Sequence, residues 1–516
     1  MRARKLSIDR DSFAIMAILL LAFVLRVWGI NFGLPFLYHP DEGAVTMPAL
    51  EILRTGNLRP IRLDYGSLYI YSLTLLDIPL FFYGVARGYF HSPADLPVFA
   101  DYRQIGAYSF PAIFLVGRVF TALLGSLTVL AVYLLGLRLA GRRVGLIAAL
   151  LFAVVPLHVA HSHFSTTDVP MTCVLAWASV FIVGVFDRGA WRDYFWAGLL
   201  VGLTASTKYP GGLVLGTLVM GHMGRIRNWR EVFSPRAAVG VVMALAGFLF
   251  GTPYALDWTY FTHWLSLNLT WYSGAGVEPN ALPIVSSWQY YGQELLRSAM
   301  APITLFGIVG FAWFIRRDWR RGVLLITFPI LFGCLIVWQT KHYDRFLIPL
   351  LPFLTVGAGM TLNVVICKLT RWTGIRRVFA VSGPIALVAI LPFAATIQFD
   401  RLLAGPDVRT RALEWSKANI SPSAKVSADP TGPALQGWIS DLYLTWNLDE
   451  HSPEWYTDRK FAYLIISEPR LLDPNLTAQT KLGYRKLMNY YPLIQTFEGA
   501  MLGMNNIHIW VYWIGK

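Results

Sequence analysis

The stretch FPAIFLVGRVFTALLGSLTVLAVYLLGLRLAGRRVGLIAALLFAVVPLHVA, residues 110–160, reads as two apolar runs, 110–137 and 144–160, around a turn holding Arg138, Arg142 and Arg143. Each run is near the roughly 20 residues that cross a bilayer as a helix. Working outward, the same alternation recurs. Apolar runs fall at 12–30, 168–186, 194–206, 210–223, 236–254, 299–315, 322–338, 343–366 and 378–398. Between them lie Arg188/Arg192, Arg225/Arg227/Arg230/Arg236, Arg316/Arg317/Arg320/Arg321 and Lys368/Arg371/Arg376/Arg377.

Composition agrees. Hydrophobic residues make up 55% of the 516 and charged residues 14%, against about 25% charged in a soluble domain. A soluble globular enzyme and a disordered chain are both excluded. The net charge of +14 could suggest nucleic acid, but residues 400–516 carry 12 Lys+Arg against 12 Asp+Glu. The excess therefore lies in short loops between apolar runs. That is a topology signal, and no nucleic-acid partner is expected.

The opening MRARKLSIDRD is basic and leads into Ser12–Ile30, which ends at Arg26 and Trp28 without a small-residue cleavage site. This predicts an uncleaved first span with a cytoplasmic N-terminus. Eleven spans then place every basic cluster in the cytoplasm and residues 399–516 outside. Ser67–Phe90 is apolar enough to cross but carries Asp77, and an acid at mid-bilayer costs about 2.5–3.5 kcal/mol. Leu68–Tyr89 is therefore expected to lie at the outer interface, inside one outer loop, 31–108. The three cysteines, Cys173, Cys334 and Cys367, lie in or beside apolar runs, so no disulfide framework is expected.

The expected architecture is an α-helical polytopic membrane domain, 1–398, with interfacial helices in its first outer loop. A small extracytoplasmic α/β domain, 399–516, follows. In this tail Val408–Asn419 has helical spacing, and Ala462–Ile466 and Ile507–Trp513 read as strands. It holds no clustered acids, histidines or cysteines, so it is expected to tune acceptor choice rather than to catalyse.

Chemistry-bearing residues concentrate on the outer side. Tyr38-His39-Pro40-Asp41-Glu42-Gly43 follows the first span. Its acids suit a general base or, equally, the cap of a helix over 44–54, with Asp41 as N-cap. His161-Ser162-His163-Phe164-Ser165-Thr166-Thr167-Asp168 joins the third and fourth spans. This group suits a divalent metal site or an N-capping Asp168. Arg118 lies within the second span, Lys208 between two spans, and Lys341, His342, Tyr343 and Arg345 at an outer end. Such cations either snorkel or mark a site, and several together pair with phosphate oxygens. Acids in an outer loop above buried cations suit a lipid phosphate whose tail stays in the bilayer.

In combination these motifs resemble the type C glycosyltransferase superfamily, in the branch of the protein O-mannosyltransferases and the lipid A aminoarabinose transferases. The resemblance rests on Asp41-Glu42, Arg118 to Tyr133, Gly141 to Leu150, His161 to Asp168, Ser206-Thr207-Lys208-Tyr209 and Tyr343-Asp344-Arg345-Phe346 with Pro349 and Pro352. It covers about residues 10–398. It implies inverting transfer of a sugar from a polyprenyl-phosphate donor to a lipid, glycan or protein acceptor, at the outer face of the cytoplasmic membrane. By motif, Asp41, Glu42 and Asp168 are the implied catalytic acids. Arg118, Lys208, Arg345 and His342 are the expected donor-phosphate contacts, with His39, His163 and Tyr343 as further pocket residues. No cofactor is implied, a divalent metal being the alternative. Asp64-Tyr65-Gly66-Ser67-Leu68 lacks the lysine and the Pro-Pro-Leu of the two named activities, so no particular sugar is implied. The rival class is a lipid-linked sugar flippase or secondary transporter, which would favour inverted repeats and midplane sites. Neither is visible in the sequence. Asp41 and Asp168 facing one cavity would separate the two.

Overall fold

The computed structural model describes residues 10–97, 110–274, 285–297, 299–371 and 376–515. The basic start before residue 10, the end of the expected outer loop and residues 372–375 within the last basic loop lie outside these.

All eleven expected spans are helical. They are α1 (Arg10–Val27), α4 (Ala112–Ala140), the pair α5 (Arg142–Ala153) and α6 (Pro156–Ser162), α7 (Asp168–Asp187), α8 (Trp191–Thr207), α9 (Val214–Arg225), α10 (Pro235–Gly251), α13 (Ala301–Arg317), α14 (Trp319–Trp338), α15 (Leu351–Leu369) and α16 (Arg377–Leu403). Four more helices lie between them: α2 (Pro40–Thr55) and α3 (Leu68–Ala86) in the first loop, and α11 (Trp258–Ser273) with α12 (Ser287–Leu295) before α13. Among the described residues, seven helices are long and apolar enough to cross a membrane, or eight with α5 and α6 as one bent span. The protein is an integral membrane protein. The 60° bend between α5 and α6 falls where Pro156 disfavours helix in the residue before it.

Local sequence sets the helix ends. Ser234, Asp257 and Asp318 accept from the backbone N–H of Ala237, Tyr260 and Arg321 to start α10, α11 and α14, satisfying donors the helix leaves free. Small residues set the packing. A Cβ at Gly202 of α8 would collide with the Ala244 carbonyl of α10, and one at Gly310 of α13 with the Gly357 carbonyl of α15. In lipid, such close backbone approach is what holds helices together.

Successive helices reverse direction, so the bundle has two distinct ends. Asp168, Lys208 and Arg345 gather at one end. At the other, Arg321 of α14 pairs with Asp187 of α7 at 2.8 Å, among the basic loops. Helix α3 also counts among the seven candidate spans. Yet both its ends touch the first end of the bundle. Ser67 donates to Thr252 at the end of α10, and Gly84 packs on Phe90 and on Phe110, just ahead of α4.

The tail carries α17 (Val408–Asn419), β1 (Lys425–Ala428), β2 (Asp441–Leu444), α18 (Pro453–Asp458), β3 (Tyr463–Ser467), α19 (Glu468–Leu472), α20 (Ala478–Tyr490), β4 (Leu493–Met501) and β5 (Met504–Trp513). The sheet order is β2-β1-β3-β5-β4. Strands β1, β2 and β3 are parallel, while β5 runs antiparallel to β3 and β4. Side chains alternate as in any sheet: Ile465, Ile509 and Val511 enter one core with Val408 and Ala412 of α17, while Leu464, Ile466 and Tyr512 enter a second with Tyr484 of α20. The first of these cores also holds Tyr38, from the loop after α1.

Candidate active site

Two segments present the principal acid and its cation. Helix α2 begins at Pro40 with His39 as N-cap, so Asp41 stands in the first turn and is not the expected cap. A single 3-10 turn, Asp344–Leu350, leads into α15 and carries Arg345. An Arg345 Nη lies 3.2 Å from an Asp41 Oδ, and its Nε lies 3.8 Å from Asp168. Lys208 Nζ, at the C-cap of α8, lies 2.7 Å from the other Asp168 oxygen. Asp168 is likewise no cap: Thr167 occupies that position, and the carboxylate turns into the site. Asp41, Arg345, Asp168 and Lys208 thus form one chain of alternating charge.

Burial differs along it. The Asp41 side chain keeps 31% of its exposure, whereas Asp168 keeps 4%. Burial would push the Asp41 carboxyl up, but Arg345, helped by Lys208, outweighs it and holds the group below its ordinary value. Arg345 lies 4.0 Å over the Tyr343 ring and Lys208 5.0 Å over Phe346, contacts that orient the cations.

A cavity of about 310 Å³ opens beside Lys208 and Asp168. Its polar end holds Asp64, Tyr65, Asn268 and Tyr272; its walls are Leu213, Leu265, Leu269, Phe332, Leu335, Ile336 and Trp338. Leu269 and Trp338 are themselves more than half exposed, at 52% and 57%. The cavity therefore reaches the exposed apolar surface between α11 and α14.

Five predicted residues are placed differently. Arg118 is fully buried and makes two 2.8 Å bonds to Glu42, with further bonds to the Ile30 and Phe32 carbonyls. Glu42 also accepts from the Ser165 backbone N–H at 2.9 Å. The pair is a sealed strut tying the first loop to α4, and neither partner faces the cavity. His342 donates to or accepts from Ser287 at 3.0 Å and stacks on Tyr290. Its ring is buried and does not line the cavity. His163 sits at the seam of α1, α6 and α16, its ring nitrogens at the Val159 and Trp28 carbonyls. His39 stays close to Asp41 but stacks on Phe164, and burial pushes its imidazole down to about 4, so it is neutral.

His161, 3.5 Å from Asp344, joins the site beside Arg345. Asp64 and Tyr65, which stand where the family motif departs, and Asn268, which carries no motif, enter the site as lining of the cavity. Among the described residues no three His, Cys, Asp or Glu side chains converge as a metal site. Cations occupy the space between the two acids.

Comparison with known proteins places this geometry in a fold. The family described as dolichyl-phosphate-mannose-protein mannosyltransferase matches residues 102–256. No curated protein matches the chain. Among solved structures, the Archaeoglobus fulgidus oligosaccharyltransferase in its apo form is similar with a TM-score of 0.58 at 14% identity, over 96% of this chain and 74% of that one. ArnT from Cupriavidus metallidurans bound to undecaprenyl phosphate is similar with a TM-score of 0.53 at 13% identity, over 98% of each chain. The archaeal AglB in complex with an inhibitory peptide and a dolichol-phosphate is similar at 0.54 and 13%, over 94% of this chain and 73% of that one.

Proposed function

We propose that this chain, whose fold is that of the type C glycosyltransferases, transfers a sugar from a polyprenyl-phosphate donor with inversion, using Asp41 as general base. The observation that carries this is the shared guanidinium: Arg345 contacts Asp41 at 3.2 Å and Asp168 at 3.8 Å, next to a cavity with a cationic head and apolar walls. Asp168 lines that cavity and Asp41 does not, but the shared guanidinium brings the two acids within reach of one bound substrate, which favours the enzyme over the transporter.

The donor's prenyl chain would lie along Leu265, Leu269, Leu335 and Ile336. Its phosphate would sit at Lys208 and Arg345, an ammonium point charge and a planar fork that suit phosphate oxygens. An acceptor hydroxyl oxygen attacks the anomeric carbon from the face opposite the phosphate. The carbon–oxygen bond to phosphate breaks, its electron pair leaves with polyprenyl phosphate, and Asp41 takes the hydroxyl proton. Lys208 and Arg345 stabilise the charge developing on the leaving phosphate. Donor phosphate also draws Arg345 away from Asp41. The carboxylate then becomes more basic once the donor is in place.

We place the site at the outer face of the cytoplasmic membrane, because the opposite end of the bundle carries the arginine-rich loops. A divalent ion would compete with Arg345 for the same two carboxylates. Transfer that survives chelation supports the arginine; transfer restored only by added divalent ion would put a metal there. Native mass spectrometry of the purified protein tests donor binding. A polyprenyl-phosphate adduct that persists in Asp41→Asn and is lost in Lys208→Gln is the expected result. An adduct of equal occupancy in all three would contradict the phosphate assignment.

A further inference from the structure

The loop after α1 and the loop before α15 are far apart in sequence, yet each is held by the C-terminal domain three residues before its functional side chain. Tyr38, three residues ahead of Asp41, is 1% exposed within the core under α17. Its carbonyl accepts from an Arg409 Nη at 3.0 Å, and the same guanidinium lies 3.8 Å over its ring. Arg409 is itself fixed by two bonds to Asp407, at 2.8 and 2.7 Å.

His342 stands three residues ahead of Arg345. Its backbone N–H donates to Asn475 Oδ1 at 2.6 Å, and its carbonyl accepts from Asn475 Nδ2 at 2.8 Å. The amide therefore clamps both polar groups of one residue. Asn475 is oriented by Asp473, Asp473 by Arg470 at 2.9 Å, and Arg470 by the Trp446 carbonyl and Asn447. The relay runs from the carboxyl ends of the parallel strands into the site loop.

The two segments do not fix their own starts. Neither His39, the N-cap of α2, nor Tyr343, the N-cap of the 3-10 turn, makes a side-chain capping bond. The Asp41–Arg345 pair is partly exposed, and such pairs contribute little to holding two chains together. A transferring site, however, needs its groups held to within about 0.5 Å.

We propose that the C-terminal domain is a positioning element of the site, acting through Asn475 and Arg409 on the segments that carry Arg345 and Asp41. This rests on the proposed role of the Asp41–Arg345 pair. It revises the expectation that the tail only tunes acceptor choice.

The test uses full-length protein with Asn475→Ala, Arg345→Lys and the double variant, beside Asp41→Asn. Asn475→Ala should lower kcat about tenfold to a hundredfold, as misplacement by an ångström does, with little change in Tm. The acid limb of kcat/KM should move to higher pH, because a loosened Arg345 stabilises the Asp41 carboxylate less. In the Arg345→Lys background the same substitution should add little, since both act on one contact. Arg409→Lys gives the same readings from the other arm and serves if Asn475→Ala does not fold. Activity within twofold of wild type, or a full loss in the double variant with an unmoved acid limb, overturns the proposal. An active Asp41→Asn would instead sink the base assignment, leaving the Asn475–Arg345 coupling to be judged separately.

Discussion

Two acids stand side by side at the start of α2, each paired with an arginine from another segment, and burial separates the roles of the two pairs. Glu42 and Arg118 are both essentially inaccessible, so removing one partner leaves an uncompensated buried charge. Arg118→Gln should destabilise the fold by about 3–5 kcal/mol, with much of that regained in Glu42→Gln/Arg118→Gln, as read by thermal melting in detergent. A fully stable Arg118→Gln that only loses donor affinity would return Arg118 to the phosphate site. Asp41, with a third of its side chain exposed, should behave oppositely. Asp41→Asn should fold and bind donor while losing about 10²–10⁴-fold in rate. The pH dependence follows from its pairing. In free enzyme Arg345 outweighs burial and holds Asp41 below the ordinary carboxylate value, so the acid limb of kcat/KM for donor should lie below the ordinary carboxylate range. The limb of kcat, which reports the donor-bound state, should lie higher because phosphate has taken Arg345. Coincident limbs would contradict that exchange.

Helix α3 is the element whose placement the sequence left most open. By length and apolarity it could cross; by its contacts both ends meet the site end of the bundle. Single cysteines at Leu58 and Ser92, on either side of α3, should label from the same side of intact membranes. Opposite-sided labelling would make α3 a span. The apolar runs were legible because a bilayer imposes one strong periodic rule on every span. The helix α17 was legible at its ends as well, Asp407 capping its start. Strands β1 and β2 were not: four residues each, they lie below the length at which alternation is distinguishable from loop.

Across the molecule, the site is assembled from the first loop, the starts of α7 and of the turn before α15, and the end of α8. Asp41, Asp168, Lys208 and Arg345 could be proposed from sequence because charge in or beside apolar runs is conspicuous. Their pairing could not, nor could the diversion of Arg118 to Glu42, since a buried arginine looks the same whether its anion is a side chain or a ligand. Asn475 gave no signal at all, because it acts on a backbone rather than on a partner side chain. The most direct measurement is release of polyprenyl phosphate from a polyprenyl-phosphate sugar by purified wild-type protein and by Asp41→Asn, with membrane-envelope acceptor present. Wild type should release it and form a glycosylated product, while Asp41→Asn binds the donor and releases almost none. Equal release by both, or donor turnover by neither despite bound donor, would contradict the proposed transfer.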